Sequence, residues 1–291
     1  MATPRRTAAS SAATWLVVGH GSVGSFVTTR LVEQGAHALV FDPAPRLPVL
    51  HGERIDNPAE ARCDYVISCV SPEAADDVPR LVAAALDPDG IFFDWNTVSP
   101  ALKRVIRTEV AATTIDVALL DSLDADVTRP TLAISGVNVS RAASLLEGYG
   151  FRVFVAGDEV GQAASLKFLR SVFMKGLEAL VLEYASLAAR LDGEPIVRES
   201  LESNLGERFT RFMDLLITTN RIHAERRSTE LAGALAVFAD GGEPRLSAAA
   251  VEVLHLAAEA WEDEGAPQIG ADSHALADHL YETLWREAAS T

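Results

Sequence analysis

A glycine-rich segment near the start of the chain has the residue types and the spacing of a turn that binds phosphates. An apolar run at 15–18 leads into Gly19-His20-Gly21-Ser22-Val23-Gly24. Gly19 has the freedom for a tight turn, Gly21 lets a pyrophosphate approach the main chain, and Gly24 lets the next helix pack closely. The first turn of that helix offers free N–H groups and the positive end of its dipole. All six residues from Gly19 to Gly24 are therefore predicted to contact a dinucleotide.

An acidic residue follows at the distance that this type of site requires. A second apolar run, 38–41, ends in Asp42, about 20 residues after the glycines. A carboxylate at this point accepts hydrogen bonds from the ribose hydroxyls of NAD and repels the 2′-phosphate of NADP. Arg46 favours NADP, because it can pair with that phosphate. The residues predict NAD and leave NADP possible. The alternative to nucleotide binding is a βαβ unit whose glycines serve packing alone.

Composition limits the class of protein. The 291 residues are 48% hydrophobic, enough for two modest domains with a sizeable core. A net charge of −16 without a basic stripe argues against nucleic acid and anionic membranes as partners. No apolar run approaches the ~20 residues that span a bilayer, and no His/Cys cluster suggests a metal. Cys63 and Cys69 are expected to be reduced thiols of a cytoplasmic protein.

The order of apolar and helical segments predicts an α/β protein with an N-terminal Rossmann domain, a doubly wound parallel sheet, followed by an all-α domain. Residues 1–13 are expected to form a disordered tail, 14–158 the nucleotide domain, and 159–291 a helical domain for substrate binding and dimerisation. Strands are predicted at 15–18, 38–41, 65–70, 91–94, 114–119, 131–135 and 151–155. Helices are predicted at 22–34, 73–86, 100–111, 138–148, 159–191, 195–205, 207–219, 222–240, 246–263 and 273–288.

Ligands of such sheets bind where the strands end. This rule places Val70, Ser71 and Asn96 beside the cofactor. The Asn96 amide can hold the nicotinamide carboxamide or the substrate, or it can cap the helix that begins at Pro100, and both interpretations stay open. The loop after residue 119 follows another strand and is expected at the same edge of the sheet.

Two further segments carry a resemblance to a known family. They are Asp94-Trp95-Asn96-Thr97-Val98-Ser99-Pro100 and the stretch from Gly161 to Lys167. With the glycine turn, they resemble the 6-phosphogluconate dehydrogenase and 3-hydroxyisobutyrate dehydrogenase superfamily, the β-hydroxyacid dehydrogenases. Segments at 174–176, 223–227 and 242–244 resemble a bacterial subgroup that has its own helical C-terminal domain.

The resemblance implies an oxidoreductase that transfers hydride between NAD(P) and the hydroxyl or carbonyl group of a small polar substrate, for which an anionic group is expected. By this resemblance, Lys167 is the general acid/base. Its spacing in the sequence, taken alone, would predict only a lysine on an exposed helix face. The family's Ser-Gly-Gly loop is replaced here by acidic residues from Asp121 onward, and its Asn after the lysine is replaced by Ser171. The predicted substrate contacts are Asp121, Ser122, Arg170, Ser171, Lys175 and His223.

Three of these substrate contacts have a simpler alternative. Arg170 can instead form a salt bridge with a helix acid, Lys175 can be a solvated helix residue, and His223 can be solvated or paired. The acidic loop suits a protonated C=N bond, so an imine reductase is a second hypothesis. A nucleotide-binding accessory protein with little catalysis is a third.

A homodimer through the helical domain is also predicted. The C-terminal helical half has more apolar residues than one buried helix face requires. The family resemblance also implies dimers that pack through this domain. These apolar residues are Leu231, Leu235, Val237 and Phe238.

Overall fold

The computed structural model describes residues 13–121, 123, 128–191, 194–238 and 244–286. Apart from Ala13, the predicted tail lies outside these residues, and so does Ser122. The chain divides into two compact units at Lys167 and Phe168. One long helix, Gln162–Ala188, runs across this division.

The N-terminal unit is built on a sheet of eight described strands in the order β3-β2-β1-β4-β5-β6-β7-β8. This order, with β1 central and crossovers on both sides, is that of a Rossmann domain and confirms the predicted fold class. The strands are β1 Thr14–Val18, β2 His37–Phe41, β3 Glu53–Arg54, β4 Cys63–Ser68, β5 Leu86–Asp94, β6 Thr113–Leu119, β7 Thr131–Ser135 and β8 Arg152–Gly157. The α-helices are α1 Ser22–Glu33, α2 Val78–Val82, α3 Pro100–Glu109 and α4 Val139–Gly148.

The sheet departs from the predicted all-parallel arrangement at one place. Strands β6 and β7 are antiparallel. A parallel connection needs a crossover of a dozen or more residues, usually with a helix, whereas the described part of 120–130 contains none. The chain therefore turns back beside the strand it has just left.

The helix predicted at 73–86 is also shorter than expected. A 3₁₀ turn, Pro72–Ala74, precedes the five-residue helix α2, and β5 already begins at Leu86. Pro79 explains the break, because its ring clashes with the carbonyl one turn earlier and it has no N–H to donate. The helix therefore starts beside Pro79 instead of running through it.

Both faces of the sheet are buried. Along β1, Trp15 and Val17 belong to one apolar cluster, while Leu16 and Val18 belong to another. Alternate residues of a strand point to opposite faces, so each cluster fills one side of the sheet. This double burial explains why the strands appear in the sequence as unbroken apolar runs.

The C-terminal unit is helical. Its helices are α5 Gln162–Ala188, which begins in the N-terminal unit, α6 Glu194–Leu205, α7 Glu207–Val237, α8 Arg245–Ala260 and α9 Ser273–Arg286. Among the described residues, no helix is long and apolar enough to cross a membrane.

Helix α7 is continuous where the sequence predicted two helices, 207–219 and 222–240. The poor helix formers at the expected break are accommodated by other bonds. Thr218 and Thr219 donate to the carbonyls of Asp214 and Leu215. Asn220 is fully buried, donates to Glu178 of α5 and accepts from the Trp261 indole. Tertiary contacts thus override a weak local preference.

Two of the four apolar residues on which the predicted dimer was based are used within their own unit. Leu231 is fully buried in its core, and Leu235 packs against that core. Val237 and Phe238 are half-buried. The homodimer itself stays a prediction.

Candidate functional site

The glycine turn between β1 and α1 has backbone geometry that requires glycine at two positions. Gly19 has φ +95°, and a Cβ on it would lie 2.6 Å from the carbonyl oxygen of Cys69. A Cβ on Gly24 would overlap the carbonyl oxygen of Gly19. These two glycines therefore allow the tight turn and the close packing of α1 on the strands.

Gly21 has a different reason to be glycine. It is the N-cap residue of α1 with an ordinary φ of −81°, and a Cβ on it would meet no described atom within 4 Å. No described side chain caps this helix end. Ser22 is exposed and Val23 half-buried. Space and unpaired N–H groups at a helix N-terminus suit a pyrophosphate, so these residues fit the predicted cofactor.

Asp42 is fixed beside this turn by the main chain. Its Oδ2 accepts a hydrogen bond from the backbone N–H of His20 at 2.7 Å, and its Oδ1 accepts one from Ala44 at 2.8 Å. Each carboxylate oxygen has a further lone pair for a ribose hydroxyl. Arg46 is exposed on the loop after β2.

The imidazole of His20 points away from water. The residue is 2% exposed, and neither ring nitrogen has a partner among the described residues. The contribution of His20 to the turn is its backbone N–H, which donates to Asp42 and orients that carboxylate.

Asn96 ties together the ends of β4 and β5. Its Oδ1 accepts from the Val70 N–H and its Nδ2 donates to the Ser68 hydroxyl, both at 2.8 Å. The alternative that Asn96 caps α3 is wrong, because Ser99 is the N-cap and accepts from the Leu102 N–H. Asn96 therefore fixes the loop that contains Val70.

Ser71 lies on the same exposed edge. Its hydroxyl hydrogen-bonds the Glu73 carboxylate and lowers the pKa of that carboxyl. The residue is solvent-accessible, as a cofactor contact must be. Its predicted role stays a prediction.

A buried cation connects the ends of β5 and β6. Lys103, from α3, lies with its Nζ 2.9 Å from Oδ1 of Asp94 and 3.2 Å from Oδ1 of Asp116, and it donates to the Asp94 carbonyl at 2.7 Å. All three side chains are at most 1% exposed. Burial raises the pKa of the Asp94 carboxyl, and the Lys103 ammonium partly offsets this effect.

Asp116 also caps the long helix α5. Its Oδ2 accepts from the N–H groups of Gly161 at 3.0 Å and Ala164 at 2.9 Å, while the Ser135 hydroxyl accepts from Ala163 at 3.0 Å. A carboxylate at a helix N-terminus is favourable for both hydrogen bonding and the helix dipole. The first turn of α5 is therefore anchored to β6 and β7.

Lys167 follows one turn later on α5. Its Nζ donates to the Thr97 hydroxyl at 2.9 Å, just beyond the end of β5. The two family-like segments of the sequence, 94–100 and 161–167, thus meet in this bond. An amine held at the carboxyl edge of a parallel sheet lies where such sheets bind their ligands.

The other predicted substrate contacts are more dispersed. Asp121 accepts the Thr131 N–H at 2.6 Å and so closes the segment between β6 and β7. Lys175 donates to Ser171 at 2.7 Å and pairs with Glu230 at 2.9 Å. Arg170 is exposed on α5, and His223 is half-buried on α7 in the C-terminal unit. Ser122 lies outside the described residues.

Sequence reasoning missed Lys103 and Asp116 as members of the site. A signal existed for Asp116, because it is a single charge inside the apolar strand Thr113–Leu119. Such a residue needs a buried partner. Lys103 showed no comparable signal, since a lysine on an amphipathic helix is usually solvated.

Comparison with known proteins adds a relative that matches part of the chain. No family model matches the chain. An uncharacterized 28.5 kDa protein of Methanothermus fervidus is 31% identical over 169 residues, which make up 58% of this chain. The match spans 65% of that relative's length, slightly under two thirds.

Solved structures share the fold over most of the chain. A conserved hypothetical protein of Sinorhizobium meliloti superimposes with a TM-score of 0.74 at 25% identity, covering 94% of this chain and 97% of its own. A conserved protein described as structurally similar to 3-hydroxyacid dehydrogenases gives 0.69 at 25% identity, covering 83% and 95%. The 3-hydroxyisobutyrate dehydrogenase of Mycobacterium tuberculosis gives 0.71 at 19% identity, covering 93% and 99%.

More remote structures have the same fold with different chemistry. An imine reductase of Myxococcus stipitatus, solved with NAD⁺, gives a TM-score of 0.56 at 20% identity, over 93% of this chain and 99% of that one. The chain thus has the fold of the β-hydroxyacid dehydrogenase superfamily, with its helical C-terminal part. The resemblance inferred from the motifs is confirmed at this level.

Proposed function

Starting from a chain with the β-hydroxyacid dehydrogenase fold, we propose that it is a nicotinamide-dependent oxidoreductase that uses NAD. The observation that carries this proposal is the helix end at Gly21, which is uncapped and open to an incoming phosphate. Structures of the same fold support a nicotinamide cofactor without choosing between NAD and NADP, since the imine reductase is described with NAD⁺ and a reductive aminase of Aspergillus terreus with NADPH. The cofactor would supply the hydride.

The chain's own residues bind and orient this cofactor. The N–H groups after Gly21 hold the pyrophosphate, and Asp42 accepts the ribose hydroxyls with an orientation set by His20 and Ala44. Val70, whose N–H is bonded to Asn96, would lie at the nicotinamide end of the bound cofactor. We expect NAD to bind more tightly than NADP because the Asp42 carboxylate repels a 2′-phosphate. Arg46, which could pair with that phosphate, is exposed on a loop outside the described strands and helices.

Lys167 is the proposed general acid/base. Its ammonium donates a proton to the carbonyl oxygen of the substrate in reduction and recovers it in oxidation. The Thr97 hydroxyl orients the amine at 2.9 Å until a substrate oxygen takes that place. The substrate is a small polar molecule with a hydroxyl or carbonyl group.

An anionic group on the substrate would need a cation that is not already paired. Lys175 is paired with Glu230, so exposed Arg170 is the better candidate. Asp121, Ser122, Ser171 and His223 stay predicted substrate contacts. C=N reduction is the alternative outcome of a substrate screen. Asp121, from the acidic loop that would suit a protonated C=N bond, already accepts one backbone N–H.

Substitution at Gly21 tests cofactor binding directly. Gly21→Ala adds a methyl group where the described fold has space, so we expect an unchanged melting temperature but at least ~10-fold weaker NADH binding by tryptophan fluorescence quenching. Gly148→Ala, at the end of α4, is the matched control, because a Cβ there also meets no described atom. NADH binding that Gly21→Ala leaves intact, or wild-type protein that binds neither NADH nor NADPH, contradicts the proposal.

A separate pair of titrations decides the cofactor. Asp42→Ala is expected to weaken NADH binding and to reduce the preference over NADPH, whereas Arg46→Ala is expected to leave NADH binding unchanged. Tighter binding of NADPH than of NADH by the wild type would overturn the choice of NAD.

Turnover tests the lysine. We expect oxidation of NADH against a panel of small oxoacids, aldehydes and cyclic imines, and its loss by ~10²-fold or more in Lys167→Ala with unchanged NADH affinity. Equal turnover by wild type and Lys167→Ala would remove the proposed role of the lysine. Turnover of imines alone would replace carbonyl by C=N chemistry.

The homodimer belongs to the same proposal, with new support. Five apolar residues of α5 are each at least 41% exposed, and at 100° per residue they fall within an arc of about 60°. They are Leu166, Leu169, Phe173, Leu180 and Leu187. A narrow apolar stripe along one helix suits the same stripe of a second copy.

Sedimentation equilibrium tests this assembly. The wild type is expected to be a dimer and Phe173→Glu a monomer, since Phe173 is 68% exposed at the middle of the stripe. Ile196→Glu, on α6 and 74% exposed, is the control and should remain dimeric. A monomeric wild type excludes the dimer.

A cytoplasmic location is proposed because the chain's two cysteines do not form a disulfide. Cys63 and Cys69 are both unpaired, as expected in a reducing compartment.

A further inference from the structure

Two segments that meet at the Lys167–Thr97 bond are both held by one buried ion cluster. On the strand side, Lys103 donates to the carbonyl oxygen of Asp94, and the Asp94 carboxylate accepts the N–H of Asn96 at 3.0 Å. Thr97 is the next residue. The backbone that presents the Thr97 hydroxyl is therefore fixed by two bonds to the cluster.

On the helix side, the same cluster fixes the start of α5. Asp116 bonds to Lys103 through one carboxylate oxygen and to the N–H groups of Gly161 and Ala164 through the other. Lys167 lies three residues after Ala164, within one helical turn. Any movement of Asp116 is thus transmitted to the backbone that carries Lys167.

Lys103 is the group that joins the two sides. Its side chain is 1% exposed and lies between two carboxylates that are fully buried. Without the ammonium, these carboxylates repel each other in a medium of low dielectric constant. The ladder between β5 and β6 still holds the strands, but the two side chains lose the spacing at which they accept from the N–H groups of Asn96 and Gly161. A general acid must lie within hydrogen-bond reach of its substrate, so this spacing matters for Lys167.

We infer that Lys103 is a positioning residue, which sets the place of the Lys167 amine through Asp94 on one side and Asp116 on the other. The inference rests on the proposed function for its catalytic meaning. Its structural content, that the location of the Lys167 amine depends on Lys103 and Asp116, can be tested with neither substrate nor cofactor.

The chain offers a direct probe, because its three lysines are Lys103, Lys167 and Lys175. Protein labelled with ¹³C at lysine Cε gives one set of Hε–Cε NMR signals per lysine, which single substitutions assign. Thr97→Val defines the position of the Lys167 signal when its hydroxyl partner is lost. Lys175, bonded to Ser171 and Glu230, is the internal reference.

Asp116→Asn and Lys103→Met are expected to move the Lys167 signal toward its position in Thr97→Val and to leave the Lys175 signal in place. A variant with Asp94→Asn, Lys103→Met and Asp116→Asn together leaves no charge in the buried cluster, so it supplies a folded protein for the same measurement if a single substitution prevents folding. Arg107→Met, which removes an exposed cation from the same helix, is the control and should move neither signal. A Lys167 signal at its wild-type position in the folded variants overturns the inference.

Kinetics then separate positioning from the proposed function. With the turnover assay above, Asp116→Asn is expected to lower kcat by up to ~10²-fold with unchanged NADH affinity. A moved Lys167 signal with unchanged kcat would mean that Lys103 positions a lysine without a catalytic role. The proposed function would then fail while the positional inference stands.

Discussion

Both units of the chain bury ionised side chains, and the two networks differ in what they connect. In the N-terminal unit, Lys103 joins two strand ends and, through Asp116, the first turn of α5. In the C-terminal unit, Glu178 of α5 accepts from Asn220 and from Arg227, both on α7, and Asn220 accepts from the Trp261 indole. The first network holds main-chain segments, whereas the second holds side chains of packed helices.

This difference shows why buried charge occurs in the two places. A buried ion pair is a weak source of stability, since desolvation offsets most of the attraction. At the strand ends, the pair fixes the backbone around Thr97 and Lys167, where the proposed site needs an accurate geometry. In the helical unit, Glu178 and Asn220 satisfy one another inside a packed core and specify how the helices fit.

Loss of Lys103 is the most severe way to break the first network. Lys103→Met leaves two buried carboxylates without a cation, which costs about 3–5 kcal/mol of unfolding free energy. Urea denaturation followed by circular dichroism measures it. A loss below about 1 kcal/mol would show that the cluster is neutralised in another way.

The second network should be less sensitive to loss of its charge. Glu178→Gln keeps an oxygen that accepts from Asn220 and removes only the ion pair with Arg227, which is partly open to solvent. We expect a loss of about 1–3 kcal/mol in the same assay. NADH affinity should not change, and a tenfold loss of affinity would show that this network also supports the site.

The link between the first network and α5 depends on Gly161. Its φ is +103°, and a Cβ would lie 3.0 Å from the carbonyl oxygen of Pro100. Gly161→Ala is therefore expected to destabilise by about 1–2 kcal/mol in thermal unfolding. Gly176→Ala, inside the same helix and without described atoms in the way, is the control and should stabilise by about 0.5–1 kcal/mol. Equal effects of the two substitutions would contradict the geometry of the α5 start.

The smallest expected effect concerns the thiols near the glycine turn. Burial raises the pKa of Cys69 to about 12, with a smaller effect from Asp42, and burial also raises the pKa of Cys63 to about 12. At pH 8 only ~10⁻⁴ of each thiol is ionised, so iodoacetamide should modify both slowly in the native protein and rapidly in urea. Fast modification of native Cys69 would mean that the turn opens readily.

The predictable part of the fold is the part with local signals. The glycine turn, Asp42 and the strands β1, β2 and β4 to β8 follow from apolar runs and glycine spacing that act over a few residues. The direction of β7 does not follow from such signals, because it depends on the path that the connection from β6 takes back to the sheet. Continuous α7 was missed for the same reason, since the bonds that hold Asn220 come from α5 and from Trp261.

The predictable part of the site has the same limit. The segments 94–100 and 161–167 were recognised from their residues, but their meeting at Thr97 and Lys167 is a contact between positions 70 residues apart. Lys103 could not be recognised from its helical pattern, which does not show that it faces two carboxylates. The paired state of Lys175 likewise depends on Glu230, on a different helix.

The sequence by itself determined the class of the fold and the turn that fits a dinucleotide, because both are encoded in neighbouring residues. It indicated Lys167 only through a family resemblance. Only the tertiary structure decided which of the three lysines is buried in an ion cluster, which is bonded to Thr97 and which is paired with Glu230. The physical reason is that the state of a charged group depends on the solvent and partners around it. Those are set by strands and helices far away along the chain.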